Sequence, residues 1–189
     1  MLVLTIEAAA RRRVTPALAA RVKRRAAHMV AAAARGAEVG LTLTGDAGIH
    51  ALNRLWRHKD KATDVLAFAM TEGAAAEVAR QAGLLGDVVI SVATAARQAE
   101  ERGVALGDEL EHLFAHGLCH LLGYDHRDDD EERVMNARMA KLLRAARGST
   151  STRTRTSTRT RTRTRTSTST STSTSTRTRT STSTRRRAR

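Results

Sequence analysis

The chain has 189 residues and a formal net charge of +14, but the charge is unevenly spread. Residues 149–189 hold 12 arginines and no acidic residue, so 21 basic residues face 19 acidic ones in the remainder. We expect a nearly neutral domain, 1–147, and a Ser/Thr/Arg low-complexity tail, 148–189, that is too polar to form a core and should be disordered. The single cysteine excludes an intramolecular disulfide, and the absence of a long apolar run or a secretion-signal layout makes the cytoplasm the expected compartment.

In the first half of the domain, alternating hydrophobicity predicts strands and a 3.6-residue period predicts helices. The predicted elements are a strand over 2–8, a helix from 16 to about 35 capped by Thr15, a strand over 38–44, a helix from 46 to about 57 and a strand over 65–68. The apolar residues of the second helix predict its buried face, formed by Ile49, Leu52, Leu55 and Trp56.

The second half begins with a connector of small residues over 71–82. A strand over 84–91 follows, and its last residue, Ser91, is expected to cap a helix that runs to about residue 102. A further helix starts at 107–108, and a last one follows the acidic run 128–132. The last helix should bury the apolar stripe Val134, Met135, Met139, Leu142 and Leu143. This order predicts an α+β fold, with a small mixed sheet of about four strands covered by helices.

Residues 116–126, HGLCHLLGYDH, contain three histidines in a spacing suited to a metal site. His116 and His120 lie one helical turn apart on the same face, so their rings can converge on one ion. Gly123 can end the helix and let the chain return with His126. Three imidazoles with an open fourth position are typical of a catalytic zinc site; the alternative is that these histidines only form hydrogen bonds.

The same spacing occurs in metzincin proteases, where a glutamate general base directly follows the first histidine. Here that position is Gly117, which cannot transfer a proton, so the pattern predicts a metal site without the protease base. His112, one turn earlier, could replace His126 as a ligand, although we favour a role in orienting a ligand. Cys119 lies about 60° from His116 around the helix and is expected to pack in the core.

The histidine motif resembles the signature of the YbeY family, the bacterial rRNA-maturation endoribonucleases. Two further blocks are similar to that family: 53–68, which contains Arg57, and 85–91. The similarity extends over about residues 1–146, with the same order of elements. It has departures at Cys119, Ala67 and Ala69, where the family more often has Leu, Ser and Pro.

The resemblance implies a metal-dependent hydrolase that binds one Zn²⁺ through His116, His120 and His126. It implies cleavage of single-stranded RNA, notably in forming the 3′ end of 16S rRNA and in ribosome quality control, with the small-subunit rRNA and the ribosome as partners. The alternatives are a non-catalytic ribosome-associated factor that zinc only stabilises, and a zinc peptidase. The arginines of the tail either add non-specific RNA affinity or belong to a solvated segment without a role.

The resemblance also implies a functional role for Arg57. A guanidinium can bind two phosphate oxygens and stabilise the charge that develops on them during cleavage. The spacing alone instead favours a structural ion pair of Arg57 with Asp60 or Asp64. The sequence does not identify a general base, for which Asp87 and Asp125 are candidates.

Overall fold

The computed structural model describes residues 1–71, 73, 76–125 and 128–148, in which strands and helices alternate up to Ser91 and three helices follow. The elements are β1 (Leu2–Ile6), α1 (Pro16–Ala33), β2 (Glu38–Thr44), α2 (Asp46–Arg57), β3 (Val65–Ala69), α3 (Ala76–Gln81), β4 (Leu84–Ser91), α4 (Val92–Arg102), α5 (Leu106–Leu121) and α6 (Asp129–Gly148). Of the tail predicted over 148–189, only Gly148, the end of α6, lies within the described residues. None of the helices in these residues is long and apolar enough to cross a membrane.

The described strands form one mixed sheet in the order β1-β2-β4-β3. Strands β1, β2 and β4 are parallel, whereas β3 runs antiparallel to β4 and forms one edge of the sheet. The predicted α+β fold with a small mixed sheet is confirmed. The six-residue α3 was not predicted, because it lies in the stretch read as a connector of small residues.

The two faces of the sheet carry different helices, because side chains alternate along a strand. Val88 and Ile90 of β4 face the main core, to which α1, α5 and α6 contribute. Val89 points to the other face and packs with Leu66 and with Ile49 of α2. Helices α2 and α5 therefore lie on opposite sides of the sheet.

Helix α5 is the most buried helix of the described fold. Leu110, Phe114 and Leu118 are fully buried, and burial of each such side chain contributes about 1.5–3 kcal/mol. Cys119 is buried in the same core, as predicted. This packing fixes the helix that carries the two described histidines of the motif.

Gly117 allows α5 to lie close to the sheet. A Cβ atom at this position would be 2.7 Å from Cγ1 and 3.1 Å from Cγ2 of Val88, and 3.4 Å from Cγ2 of Val65. Because carbon atoms pack at about 3.5–4.0 Å, a side chain here would force the helix and the strand apart. The position that lacks the protease base is thus also a point of close packing.

Buried carboxylates connect α5 to its neighbours. Glu111 is 2% exposed and accepts hydrogen bonds from Nε of Arg21 (2.9 Å) and Nη1 of Arg25 (3.1 Å). Arg102 at the end of α4 likewise donates to the buried Glu109, at 2.8 and 3.0 Å. Two of the basic residues of α1 therefore serve as structural ion-pair partners.

Three residues predicted to be buried are exposed. Leu55 and Trp56 in the last turn of α2 are 65% and 63% exposed, and Val134 of α6 is 57% exposed. The end of α2 lies beside the edge strand β3, beyond which no described strand provides a surface to cover Leu55. In α6, Met135 and Leu142 carry the buried stripe without Val134. The other predicted boundaries and the caps at Thr15 and Ser91 are confirmed within a few residues.

Candidate active site

A cleft of about 930 Å³ lies at the free edge of the sheet, where α2, β3 and the end of α5 meet. Although α2 and α5 lie on opposite faces of the sheet, side chains from both helices reach this space around the edge strand β3. The charged and imidazole side chains that line the cleft are Arg57, Lys59, Lys61, His116, His120 and Asp125. The main aromatic ones are Trp56, Phe68 and Tyr124.

His116 and His120 face each other in this cleft. Their Nε2 atoms are 3.2 Å apart, and their ring centroids are 4.8 Å apart with the planes inclined by 78°. Two imidazoles on one tetrahedral zinc, each with a Zn–N bond of about 2.0–2.1 Å, have their nitrogens about 3.3 Å apart. The observed spacing therefore fits a shared zinc ion; it also suits a hydrogen bond between the rings, which is the alternative left open by the sequence.

His126, the third predicted ligand, lies outside the described residues. Within the parts of the chain that the structure describes, no group of three His, Cys, Asp or Glu side chains is arranged to hold a metal ion. His112 does not line the cleft, and its side chain makes no hydrogen bond to another described residue. The pair His116 and His120 is thus the part of the predicted ligand set that the structure brings together.

Arg57 stands at the same cleft as the histidine pair. Its Nη2 donates a hydrogen bond of 3.1 Å to the carbonyl oxygen of Ala67 on β3. Asp60 instead pairs with Nε2 of His50 at 2.8 Å, so among the described residues Arg57 makes no ion pair with Asp60 or Asp64. The structural ion pair suggested by spacing is not found, and the guanidinium lies exposed in the cleft.

Asp64 is occupied by a local network at the start of β3. Burial raises the pKa of its carboxyl, but hydrogen bonds from Gln98, from the N–H of Val65 and from Thr63 outweigh burial and hold that pKa below its ordinary value. Asp64 is therefore a charged structural residue rather than a partner for Arg57.

The loop after α2 brings two lysines to the cleft. His58 ends the helix in the left-handed conformation, with φ of 54°. The buried amide of Asn53 then donates a 2.8 Å hydrogen bond to the carbonyl of Lys61. Lys59 and Lys61 both line the cleft, a role that was not predicted from the sequence. A charged run directly after Arg57 was the signal available for it.

The two carboxylates considered as general bases lie in different places. Asp125 lines the cleft. Asp87 does not; it lies over Gly40 of the neighbouring strand, where a Cβ would be 1.9 Å from its Oδ1. The structure therefore places only Asp125 near the histidine pair.

Comparison with known proteins decides the family. The model of the family described as endoribonuclease YbeY matches residues 6–147, about three quarters of the chain. The chain belongs to the endoribonuclease YbeY family. The matched range includes all three motif histidines and Arg57, so the resemblance expected from the sequence is confirmed.

Individual YbeY proteins are similar over a shorter range. The endoribonuclease YbeY of Anaeromyxobacter sp. (strain Fw109-5) is 49% identical over 128 residues, which cover 67% of this chain and 64% of that protein. The YbeY of Pelotomaculum thermopropionicum is 47% identical over 107 residues, covering 57% and 70%. The chain thus spans less than two thirds of the length of the Anaeromyxobacter relatives it matches.

A solved structure supports the same fold. The solution structure of TM1509 from Thermotoga maritima matches with a TM-score of 0.55, and the match covers 79% of this chain and 91% of that one. At 23% sequence identity this likeness concerns the fold alone.

Proposed function

We propose that this chain is a zinc-dependent endoribonuclease that cleaves single-stranded RNA in the cytoplasm. Its expected substrate is small-subunit rRNA, with roles in maturation of the 16S rRNA 3′ end and in ribosome quality control. Membership of the YbeY family supports the nuclease activity. The observation that carries the proposal is the position of two imidazole Nε2 atoms, 3.2 Å apart, in a cleft that also holds Arg57 and two lysines.

In this proposal His116, His120 and His126 hold one Zn²⁺. The described pair fits the ion by donor type and by separation. When bound, zinc would supply Lewis acidity for hydrolysis of a phosphodiester at neutral pH. Helix α5 keeps the pair in place because its opposite side is packed into the core.

Arg57 would stabilise the negative charge that develops on the phosphate. A guanidinium has five N–H donors, and the hydrogen bond to Ala67 uses one of them. That bond holds the group at the edge of β3, while the remaining donors are available to phosphate oxygens. Asp125 is better placed than Asp87 to orient a histidine ring or to accept a proton.

The test is cleavage of a single-stranded oligonucleotide with the sequence of the 16S rRNA 3′ region, compared with the same sequence in a duplex. We expect the wild type to cut the single strand. Arg57→Ala should lose about 100-fold or more of the rate while its zinc content stays unchanged. Arg54→Ala is the matched control, because Arg54 is an exposed arginine of the same helix that does not line the cleft.

His116→Ala and removal of the metal test the role of zinc. Both should abolish cleavage, and chelation should leave most of the secondary structure intact because the described core contains no metal ligand. Unfolding on chelation without any RNA cleavage by the loaded protein would instead favour the non-catalytic zinc-stabilised factor. Digestion of casein without cleavage of RNA would favour the peptidase.

A further inference from the structure

Trp56, the single tryptophan of the chain, is exposed at the cleft. Although tryptophan is a large, mostly apolar side chain, 63% of Trp56 is accessible. Its ring makes an edge contact with Phe68, with centroids 6.3 Å apart and planes inclined by 68°. This contact supports the indole on one side, and the exposure leaves ring surface open to a ligand.

The surroundings of Trp56 are suited to a polyanion. Arg57 is the next residue, and Lys59 and Lys61 line the same cleft. Neither lysine forms an ion pair with any residue in the described parts of the chain. The buried Asn53 holds the loop that carries them through its bond to the Lys61 carbonyl. An open aromatic ring is thus placed beside cations that are free to meet phosphates.

We propose that Trp56 stacks on a base of the bound RNA while Lys59 and Lys61 contact neighbouring phosphates. Aromatic stacking combined with a basic groove is how proteins bind single strands without reading their sequence. In a duplex the bases are already stacked and paired, so they cannot reach the indole. The inference rests on the proposed nuclease function and assigns its selectivity for single strands to Trp56.

An exposed aromatic side chain can also belong to a surface on which another protein docks, and Leu55 provides a control for this alternative. Leu55 is 65% exposed and adjacent to Trp56, but it does not line the cleft. A protein that docks on the end of α2 would contact both side chains. RNA in the cleft would contact only Trp56.

The fluorescence of the full chain reports on this contact alone, because no second tryptophan contributes. We expect a single-stranded oligonucleotide to quench the emission of Trp56. An abasic ribose-phosphate oligomer of equal length and a duplex should not quench it. A salt concentration of about 0.3 M weakens any purely electrostatic binding of RNA by the arginine-rich tail. Titration of His116→Ala keeps the RNA intact during the measurement.

Substitutions give the size of the effect through the anisotropy of labelled RNA and steady-state kinetics. Trp56→Ala should weaken binding of the single strand by about 5- to 150-fold. It should raise KM with little change in kcat, because stacking holds substrate and transition state alike. Trp56→Phe should keep most of the affinity, and Leu55→Ala should bind and cleave like the wild type. Unchanged thermal unfolding would show that each variant folds.

Quenching by the abasic oligomer as strong as by RNA would overturn the proposal, as would wild-type affinity of Trp56→Ala. Equal losses for Leu55→Ala and Trp56→Ala would also overturn it, in favour of a docking surface. Failure of the nuclease proposal is distinguishable from failure of the stacking proposal. If only the nuclease proposal fails, the wild type cuts no RNA but its fluorescence is still quenched by RNA and not by the abasic oligomer. A wild type that cleaves RNA but shows no quenching would refute the stacking and keep the nuclease.

Discussion

Replacement of Gly117 by alanine tests the packing that places the histidines. The added Cβ would be 2.7 Å from Cγ1 of Val88, which is about 0.8 Å short of the closest comfortable carbon–carbon contact. Rotation of the valine does not relieve the contact, because Cγ2 is also only 3.1 Å away and Val88 is fully buried. Helix α5 must therefore move away from β4.

The expected cost follows from two opposing terms. Overpacking of a close-packed core costs about 1–3 kcal/mol. Replacing glycine by alanine inside a helix stabilises the helix by about 1 kcal/mol. The free energy of unfolding should thus fall by about 0–2 kcal/mol, and Tm by up to about 8 °C for a domain of this size. A shift of the helix by several tenths of an ångström also moves His116 relative to Arg57, so RNA cleavage should fall by about 10- to 100-fold.

Urea unfolding, thermal unfolding and the RNA cleavage assay check these values. Gly148→Ala is the matched control, because Gly148 is also helical but has no atom within 4 Å of the added Cβ; it should be neutral or slightly stabilising. Val88→Ala combined with Gly117→Ala removes both valine methyls and should destabilise less than the two changes added together. A Gly117→Ala protein that is more stable than the wild type and fully active would refute the reasoning.

Three further predictions concern charges and a buried amide outside the histidine pair. Glu111→Ala removes a buried partner of two arginines and should lower the free energy of unfolding, measured in urea, by about 1–3 kcal/mol. Glu77→Ala, which removes an exposed ion pair, should lower it by less than about 1 kcal/mol, and equal losses for the two variants would contradict this. Burial raises the pKa of Asp64, but its hydrogen bonds lower that pKa by more, so the charged carboxylate stabilises the fold above the unfolded pKa of about 3.9 and this stabilisation is lost as pH falls through the lower folded pKa. The Tm difference between wild type and Asp64→Asn should therefore be largest near neutral pH and shrink below about pH 4; a difference that does not change with pH would argue against this. Asn53→Ala should expose the loop around Lys61 to limited proteolysis and weaken RNA binding, and an unchanged digestion pattern would show that the amide does not hold the loop.

The strands, the long helices and their caps could be predicted because their signals are local. Alternation predicts β2, and Thr15 and Ser91 cap the helices that they precede. The six-residue α3 lies in a stretch read as a connector, and so short a helix depends on tertiary packing rather than on a periodic pattern. The exposure of Leu55 and Trp56 depends on the order of the strands, which periodicity does not contain.

The candidate site was likewise predictable only where its geometry is local to a single helix. The spacing of His116 and His120 is a property of one helix, so their proximity followed from the sequence. Their meeting with Arg57 requires an antiparallel β3 at the edge of the sheet and a close crossing of α5, neither of which spacing reveals. The functional role of Arg57 was predicted from the family resemblance. The ion pair with Asp60 or Asp64 that the spacing suggested is not found among the described residues, and the guanidinium instead donates a hydrogen bond to the carbonyl of Ala67.

The location of the cleft follows from the edge strand. Helices α2 and α5 pack on opposite faces of the sheet, so their side chains can meet only around a free edge, and β3 provides one. An edge strand also presents backbone groups that have no neighbouring strand, and Arg57 satisfies one of them, the carbonyl of Ala67. The same bond therefore fixes the guanidinium at the edge of the cleft that also holds the two histidines. A strand added outside β3 would displace Arg57 and fill the cleft, so the open edge is a requirement of the site and not a defect of the sheet.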